Sequence, residues 1–168
     1  MGTRSISNVT RILFFGGVVL AAVASATTRT SVAVAALGRT DACTPATTKA
    51  LVRSFVAEYD KGHVQAINRM WAPKPYFQWF STRAPGGRLG AQAYDRATLA
   101  AYFRARAHAH ERLVLTQLGA GYDPTRNIVN FAGYLLRSAD DIHSAGPHPF
   151  KGAADCRSGN PSLIVWSM

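Results

Sequence analysis

Two short segments of the sequence contain the ionisable residues that could do chemistry, and one of them is LLRSADD, residues 135–141. Arg137 shares a predicted strand face with Phe131, so its side chain is expected to point inward. A buried arginine needs an anionic partner, and Asp140 or Asp141 is near enough in sequence to supply one. Such a pair either orients a polar ligand at a pocket rim or closes one end of the fold as a structural ion pair. The structural interpretation is favoured.

The second segment is RARAHAHER, residues 104–112, where His108 and His110 stand two positions apart at a predicted helix end. Side chains at i and i+2 diverge on a helix, and no third ligand is evident, so we expect no metal site. A histidine near a helix C-terminus also favours the helix dipole without any further function. The candidate catalytic residues are therefore His110, Arg137 and Asp140.

Signatures of other chemistries are missing from the sequence. There is no GxSxG nucleophile motif, and the glycine-rich segment RAPGGRLGAQ, Arg83–Gln92, matches neither GxGxxG nor GxxxxGK[ST]. We interpret this segment as a surface loop, and we expect no cofactor.

The chain is strongly basic, with 19 Lys and Arg against 9 Asp and Glu in 168 residues, a formal charge of +10. These cations are scattered singly rather than clustered, which argues against a specific nucleic-acid partner. A solvated basic surface is favoured, and loose attraction to anionic envelope surfaces remains open.

The N-terminus has the layout of a secretory signal peptide. Arg4 and Arg11 precede the apolar run Ile12–Val23, which the small residues Ala24-Ser25-Ala26 follow. The run of about 12 residues is short of the roughly 20 that cross a bilayer, although an uncleaved anchor is the alternative. Cleavage after Ala26, or after Ala35, predicts a secreted or envelope-associated protein whose mature chain has no membrane span.

Export sets the expectation for Cys43 and Cys156, the only cysteines. In an oxidising compartment they most simply form one structural disulfide, because the sequence has no Cys-x-x-Cys motif and no histidines at zinc-ligand spacing. The predicted organisation is a signal peptide over residues 1–26, a linker or disordered segment over 27–42, and one domain over 43–168.

The predicted elements of this domain begin with helices and end with strands. A first helix starts at Thr44-Pro45, a second ends before Pro73, and a third follows Asp95 and runs to about His108. An aromatic strand, PYFQWFS at residues 75–81, lies between the second and third helices. An antiparallel hairpin follows, with strands over residues 113–118 and 127–138 and the turn GYDPT at residues 121–125. A loop over residues 140–152 and a final strand over residues 162–168 complete the order. This order predicts an α+β fold.

The order of elements, together with the paired-helix opening LVRSFVAEYDKGHVQAINRMWAP at Leu51–Pro73, resembles the NTF2-like superfamily. The resemblance implies a cone-shaped, curved antiparallel sheet wrapped around three helices of the N-terminal half, a fold also termed cystatin-like. It also implies a pocket at the wide mouth of the cone and a convex face that often forms a homodimer.

The ketosteroid-isomerase-like and SnoaL-like enzymes that it resembles place a carboxylate base on the strand after the second helix. Here that strand, Tyr76–Ser81, contains no Asp or Glu. A general base must reach the substrate proton with a suitable pKa, so isomerase-type proton abstraction is not expected.

The leading hypothesis is an apolar pocket that binds a small hydrophobic or amphipathic molecule. Its expected aromatic wall is Trp79, Phe103, Tyr134 and Trp166. Two alternatives stay open. One is a SnoaL-like isomerase, cyclase, dehydratase or hydrolase that uses His110, Arg137 or Asp140. The other is an interaction module that dimerises through its convex face.

Overall fold

The structure of the chain is a computed structural model that describes residues 42–83, 89–143 and 146–168. The predicted signal peptide lies outside the described residues, as does the predicted linker except for Ala42. In the described part of the chain, no helix is long and apolar enough to span a membrane.

Three helices and seven strands make up the described residues. In chain order the helices are α1 (Pro45–Asp60), α2 (Val64–Arg69) and α3 (Arg96–His108). The strands are β1 (Trp79–Arg83), β2 (Leu89–Ala93), β3 (Arg112–Asp123), β4 (Ile128–Ala139), β5 (Ile142–His143), β6 (His148–Asp155) and β7 (Ser162–Ser167).

The helices begin where capping residues place them. The Thr44 hydroxyl accepts a hydrogen bond from the Thr47 amide at 3.1 Å, and the Thr47 hydroxyl accepts one from the Thr44 amide at 2.8 Å. This reciprocal pair satisfies N–H groups that have no partner within the helix. Asp95 caps α3 without this reciprocity, since its carboxylate accepts from both the amide and the hydroxyl of Thr98. Gly62, at φ +68°, ends α1 in a left-handed conformation that glycine adopts without strain.

The strands form one mixed sheet in the order β2-β1-β7-β6-β4-β3, with β5 paired to β4. Every pairing is antiparallel except β1 with β7, which is parallel. The sheet is curved and stays open, because its edge strands β2 and β3 do not pair in the described part of the chain. The α+β prediction is confirmed, with one parallel pair in a sheet expected to be antiparallel.

Several boundaries differ from the sequence prediction, and one is β3, which runs to Asp123 and so enters the predicted turn Gly121–Thr125. The aromatic strand begins at Trp79 rather than before Tyr76, because the amides of Tyr76 and Phe77 both donate to the Pro73 carbonyl in a turn. The predicted loop Arg83–Gln92 contains most of β2, and the predicted loop Asp140–Gly152 contains β5 and most of β6. The backbone partners of these strands are far away in sequence, so local composition did not reveal them.

The two faces of the sheet have different compositions. Alternate residues of each strand point to opposite sides. We call the side against the helices the inner face; it carries large buried side chains, among them Phe80, Phe131, Leu135, Phe150 and Trp166. The other side is the outer face, where the register aligns Ala132 on β4 with Lys151 on β6 and Lys151 with Ser167 on β7.

Aromatic rings fill the space between the helices and the inner face. Phe55 on α1 lies 4.7 Å from Trp166 and 5.8 Å from Phe103 between ring centroids. Trp71 packs edge-on against Phe55 and Phe80. Tilted and edge-to-face contacts of this kind contribute beyond the area that they bury. The core is therefore a continuous cluster of rings.

Cys43 and Cys156 lie at disulfide distance, with their Cα atoms 5.5 Å apart, as the sequence predicts. The link joins the start of α1 to the end of β6 and spans 113 positions. Closing a loop of that length stabilises the folded state by about 4–5 kcal/mol in the chain-entropy account.

Candidate functional site

The first candidate site is a group of charged and phenolic side chains at the end of the sheet that adjoins the last turn of α3. We call it the Glu111 cluster: Tyr102, Arg106, Glu111, Arg137 and Asp141. Glu111 follows α3, and its amide donates to the Arg106 carbonyl at 3.0 Å, which turns the chain into β3. The register of β3 with β4 then sets Leu113 opposite Arg137.

Glu111 is held between two guanidinium groups. Arg106 and Arg137 each donate from Nε to one of its carboxylate oxygens. The Glu111 side chain has 0% exposure, and the Arg106 and Arg137 side chains keep only 13% and 11%. Both nitrogens at the far end of Arg106 also donate to Asp141, at 2.8 and 2.6 Å. The described cluster thus pairs two cations with two anions.

Electrostatics and burial shift several pKa values in this cluster. The hydrogen bonds from Arg106 lower the pKa of Asp141 to about 2, and those bonds also raise the pKa of Arg106. Burial lowers the pKa of Arg137, but its hydrogen bond with Glu111 and the nearby charges outweigh that effect and leave it raised. All three shifts favour the ionised forms.

Two tyrosines are affected by this environment: Tyr102 belongs to the cluster, and Tyr59 borders it. Arg137 Nη2 donates to the Tyr102 hydroxyl oxygen at 2.9 Å, and burial raises the pKa of Tyr102, with a smaller contribution from the charge of Glu111. Burial likewise raises the pKa of Tyr59. The Tyr59 hydroxyl is buried with no hydrogen-bond partner among the described residues. Both phenols therefore stay protonated at neutral pH.

The geometry of the Glu111 cluster limits its chemistry. A general base must come within hydrogen-bond reach of a substrate proton. Both oxygens of Glu111 accept from arginine, and the side chain has no exposed surface. We interpret the cluster as a buried ion-pair network that closes this end of the fold.

The predicted catalytic residues separate into two places. Arg137 lies in the Glu111 cluster, where the carboxylate that it contacts is Glu111. His110 and Asp140 pair with each other, Nδ1 to Oδ2 at 2.9 Å, with side chains that are 77% and 65% exposed. Across the described residues, no group of three or more His, Cys, Asp or Glu side chains could hold a metal ion.

The second candidate site is a cavity of about 740 Å³, which we call the outer groove. Strands β3, β4, β6 and β7 line it, together with Gln78. Short residues form its floor: Gly119, Gly121, Ala132 and Ala153. Larger apolar side chains complete the lining: Ile128 from β4, and Ile164 and Val165 from β7.

The register explains why a groove forms here. Gly119 lies opposite Ala132 and Gly121 opposite Asn130, while Asn130 in turn faces Ala153. Cross-strand neighbours lie side by side on one face, so a run of short residues lowers the surface across three strands. Any side chain at Gly121 would extend into open space, since nothing lies within 4 Å of a Cβ there.

The charge of the outer groove has one sign. Its described lining includes the cations Lys151 and Arg126 and the amides Asn130 and Gln78, and none of these described residues is acidic. Arg126 has Asp123 as a distant partner at 4.0 Å. Lys151 makes no ion pair or hydrogen bond through its side chain among the described residues. The groove therefore offers an apolar floor and an available ammonium group.

The four predicted ligand-binding aromatics fall on both faces of the sheet. Phe103 and Trp166 are buried in the ring cluster. Trp79 pairs with Val165 and is partly buried on the outer face, and Tyr134 is 45% exposed on that face. None of the four lines the outer groove. The structure therefore does not bring them together as one wall.

Sequence reasoning missed Glu111 and Lys151. Because side chains alternate along a strand, Glu111 points to the same side as Leu113 and Leu115. The sequence could therefore have indicated an inward-pointing acid as the partner of the inward-pointing Arg137. Lys151 alternates with Phe150 and Gly152, a strand pattern hidden by the interpretation of that segment as a loop. In both cases the signal was the alternation of residues along a strand.

Comparisons with known proteins place the fold. No protein-family model matches the chain, and no curated protein matches it in sequence. Solved structures do match. One is an NTF2-like protein with a cystatin-like fold from Novosphingobium aromaticivorans, with a TM-score of 0.55 and 12% identity over 73% of this chain and 78% of that chain.

Two further structures match to a similar degree. A protein of unknown function with a cystatin-like fold from Nostoc punctiforme has a TM-score of 0.54 and 17% identity, covering 73% of this chain and 86% of its own. A protein from Streptomyces avermitilis, provisionally named a dehydratase of the NTF2-like family, has a TM-score of 0.59 and 8% identity, covering 73% and 92%. At these identities the likeness concerns the fold alone.

Proposed function

Starting from the NTF2-like, cystatin-like fold of this chain, we propose that it is an exported binding protein that holds a small amphipathic molecule in the outer groove. The observation that carries this proposal is the groove itself, about 740 Å³ with an apolar floor and a few polar groups. Small-molecule sites have this size and this mixture of surfaces.

The packing of the inner face supports a site on the outer face. The sequence resemblance implies a pocket inside the cone, yet Phe55, Phe103 and Trp166 occupy the space between helices and sheet with ring centroids 4.7–5.8 Å apart. Rings at those separations are in contact. A ligand among these rings would have to displace them, whereas the outer groove is open.

Filling the groove tests the proposal. Ala132→Leu adds bulk to the exposed floor of the groove, and Ala101→Leu makes the same change on the exposed side of α3 as a matched control. We expect saturable binding of the neutral fluorescent amphiphile N-phenyl-1-naphthylamine. Ala132→Leu should weaken it roughly tenfold, about 1.4 kcal/mol, and Ala101→Leu should leave it unchanged. Absence of saturable binding, or equal behaviour of the two variants, contradicts the proposal.

Export is the second part of the proposal. The signal-like N-terminus and the cysteine pair at disulfide distance both fit an oxidising compartment outside the cytoplasm. N-terminal sequencing of the protein made in its own cells should find a mature chain starting after Ala26 or after Ala35. A cell-associated chain that retains its first residues would contradict cleavage.

A SnoaL-like enzyme is the second candidate, and the feature that favours it is the buried Tyr59 hydroxyl beside the Glu111 cluster, which makes no hydrogen bond of ordinary geometry among the described residues. An enzyme of this kind would bind its substrate on the inner side, against Tyr102. In that case Tyr102→Phe should weaken binding of the probe and Ala132→Leu should not. The reverse pattern assigns binding to the outer groove.

A homodimer through the outer face is the third candidate, favoured by the exposed Tyr134 on that face. Its weakness is Lys151 near the centre of the face. A two-fold axis close to that residue would bring two like charges together. Light scattering separates the two interpretations, since a dimer that Tyr134→Arg converts into a monomer would make the outer face an interface.

A further inference from the structure

We propose that the ligand of the outer groove is a single-chain amphiphile with an anionic head group, a long-chain carboxylate, and that Lys151 binds the head group. This inference rests on the proposed function and names the chemical class of its ligand. It begins from the position of Lys151 within the sheet.

Lys151 lies near the middle of the outer face. It belongs to β6, and its neighbours across the strands are Ala132 on β4 and Ser167 on β7. Both neighbours are shorter than lysine, so the aliphatic stem of Lys151 can lie along the floor of the groove with its ammonium group free to reach a ligand.

No carboxylate of the described residues neutralises this ammonium group. Asp155, on the same strand, accepts a hydrogen bond from Arg157 Nε at 2.7 Å and is 3% exposed. Asp123 caps its own turn through Thr125 and Arg126. The lining itself contains no acid. A cation without an acidic partner beside an apolar floor is complementary to an anion.

The rest of the groove suits the chain of such an amphiphile. Gly119, Ala132 and Ala153 leave a shallow trough, and Ile128, Ile164 and Val165 provide apolar side walls. Burying the methylene groups of an alkyl chain there is favourable, at about 0.8 kcal/mol for each group that is fully buried. Arg126, at another part of the lining, is a second cation that attracts an anionic head group.

The contact with Lys151 and the apolar contacts of the alkyl chain predict different changes in affinity when the head group of the ligand is changed. A neutral alcohol of the same chain length would gain the apolar contacts alone, and a carboxylate would gain the contact with Lys151 as well. Salt should weaken only the second contribution, because the ammonium group is exposed and therefore screened.

The experiment measures displacement of N-phenyl-1-naphthylamine by hexadecanoate and by hexadecan-1-ol below their aggregation limits. We expect wild-type protein to bind hexadecanoate several-fold more tightly than the alcohol, with a preference that falls as sodium chloride is raised. Lys151→Gln should remove the preference and leave binding of the alcohol unchanged. Lys151→Arg should retain it, and Lys49→Gln on α1, outside the groove, is the matched control.

The outcomes separate the two proposals. Equal binding of carboxylate and alcohol by wild type, or a preference that survives in Lys151→Gln, overturns the anionic ligand while the binding function stands. The binding function itself is overturned if no amphiphile displaces the probe, or if displacement is the same in wild type and in Ala132→Leu. Thermal unfolding of Lys151→Gln should match wild type, since this side chain contacts no described partner.

Discussion

The inner and outer faces of the same sheet differ in almost every physical respect. On the inner face, Phe131, Phe150 and Trp166 form a stacked and tilted group with ring centroids 5.0–6.3 Å apart. On the outer face, the same strands carry Ala132, Lys151 and Ala153 around an open groove. Neighbouring residues of one strand therefore belong to different environments, and a single change tests one face without touching the other.

This difference indicates a division of labour. The inner face contains most of the buried apolar surface, which is the dominant favourable contribution to folding. The outer groove is lined mainly by exposed and half-buried residues, apart from a small second cluster of buried side chains formed by Ile128, Ala153 and Ile164 with Ala72. Substitutions on the inner face should therefore change the free energy of unfolding, and substitutions in the groove should change binding.

The largest expected effect is on the inner side, at Glu111. Glu111→Gln leaves the buried Arg106 and Arg137 without the anion that pairs them, and we expect the free energy of unfolding to fall by about 3–5 kcal/mol. Urea denaturation measures this loss. Glu58→Gln is the matched control, because Glu58 also contacts two side chains, Lys61 and His63, but at the surface, where such pairs are weak. Equal losses in the two variants would show that the cluster is not a buried network.

A smaller effect compares two glycines on opposite faces. A Cβ at Gly152 would lie 2.4 Å from the Phe131 ring and 2.3 Å from the Val165 carbonyl oxygen, whereas one at Gly121 would meet nothing within 4 Å. Gly152→Ala should therefore destabilise by about 1–3 kcal/mol through overpacking. Gly121→Ala should change stability by no more than about 0.5 kcal/mol. A Gly152→Ala protein with the same free energy of unfolding as wild type would contradict the tight packing described for the inner face.

The smallest effect depends on pH and concerns Asp141, at the exposed edge of the Glu111 cluster. The hydrogen bonds from Arg106 lower its pKa to about 2, below the unfolded value of about 3.9. The contribution to stability is therefore fully present above pH 4 or so and is lost as pH falls through about 2. In urea denaturation at neutral pH, the free energy of unfolding of wild type should be modestly higher than that of Asp141→Asn, and the two values should converge near pH 2. A constant difference across this range would exclude the ion pair as its cause.

Much of the fold could be predicted because its signals are local. Thr44, Pro45 and Asp95 mark helix starts through capping chemistry, and the alternation around Phe131 predicts a strand with Arg137 inward. Whether Trp79 or Phe80 faces inward could not be decided, since both are large rings. The pairing of β1 with β7 settles it, with Phe80 opposite the buried Trp166.

The sites were harder to predict because their parts are distant in sequence. Glu111 and Arg137 are 26 positions apart and meet only through the register of β3 and β4. The outer groove needs short residues from three strands, β3, β4 and β6, and larger ones from β7, so no single segment of the sequence indicates it. Local patterns predict elements well, but a surface assembled from several strands depends on their register.

The position of β7 has a consequence for how the chain is made. This strand lies between β1 and β6, and it contributes Trp166 to the ring cluster, yet its residues are translated after all the other strands. Until they emerge from the ribosome, the hairpin of β1 and β2 has no contact with the rest of the sheet. A nascent chain that has not yet exposed β7 therefore lacks the middle of its sheet, and the sheet can assemble only once that strand is available. Such an order of assembly would suit the export proposed above, in which the chain crosses a membrane before it folds.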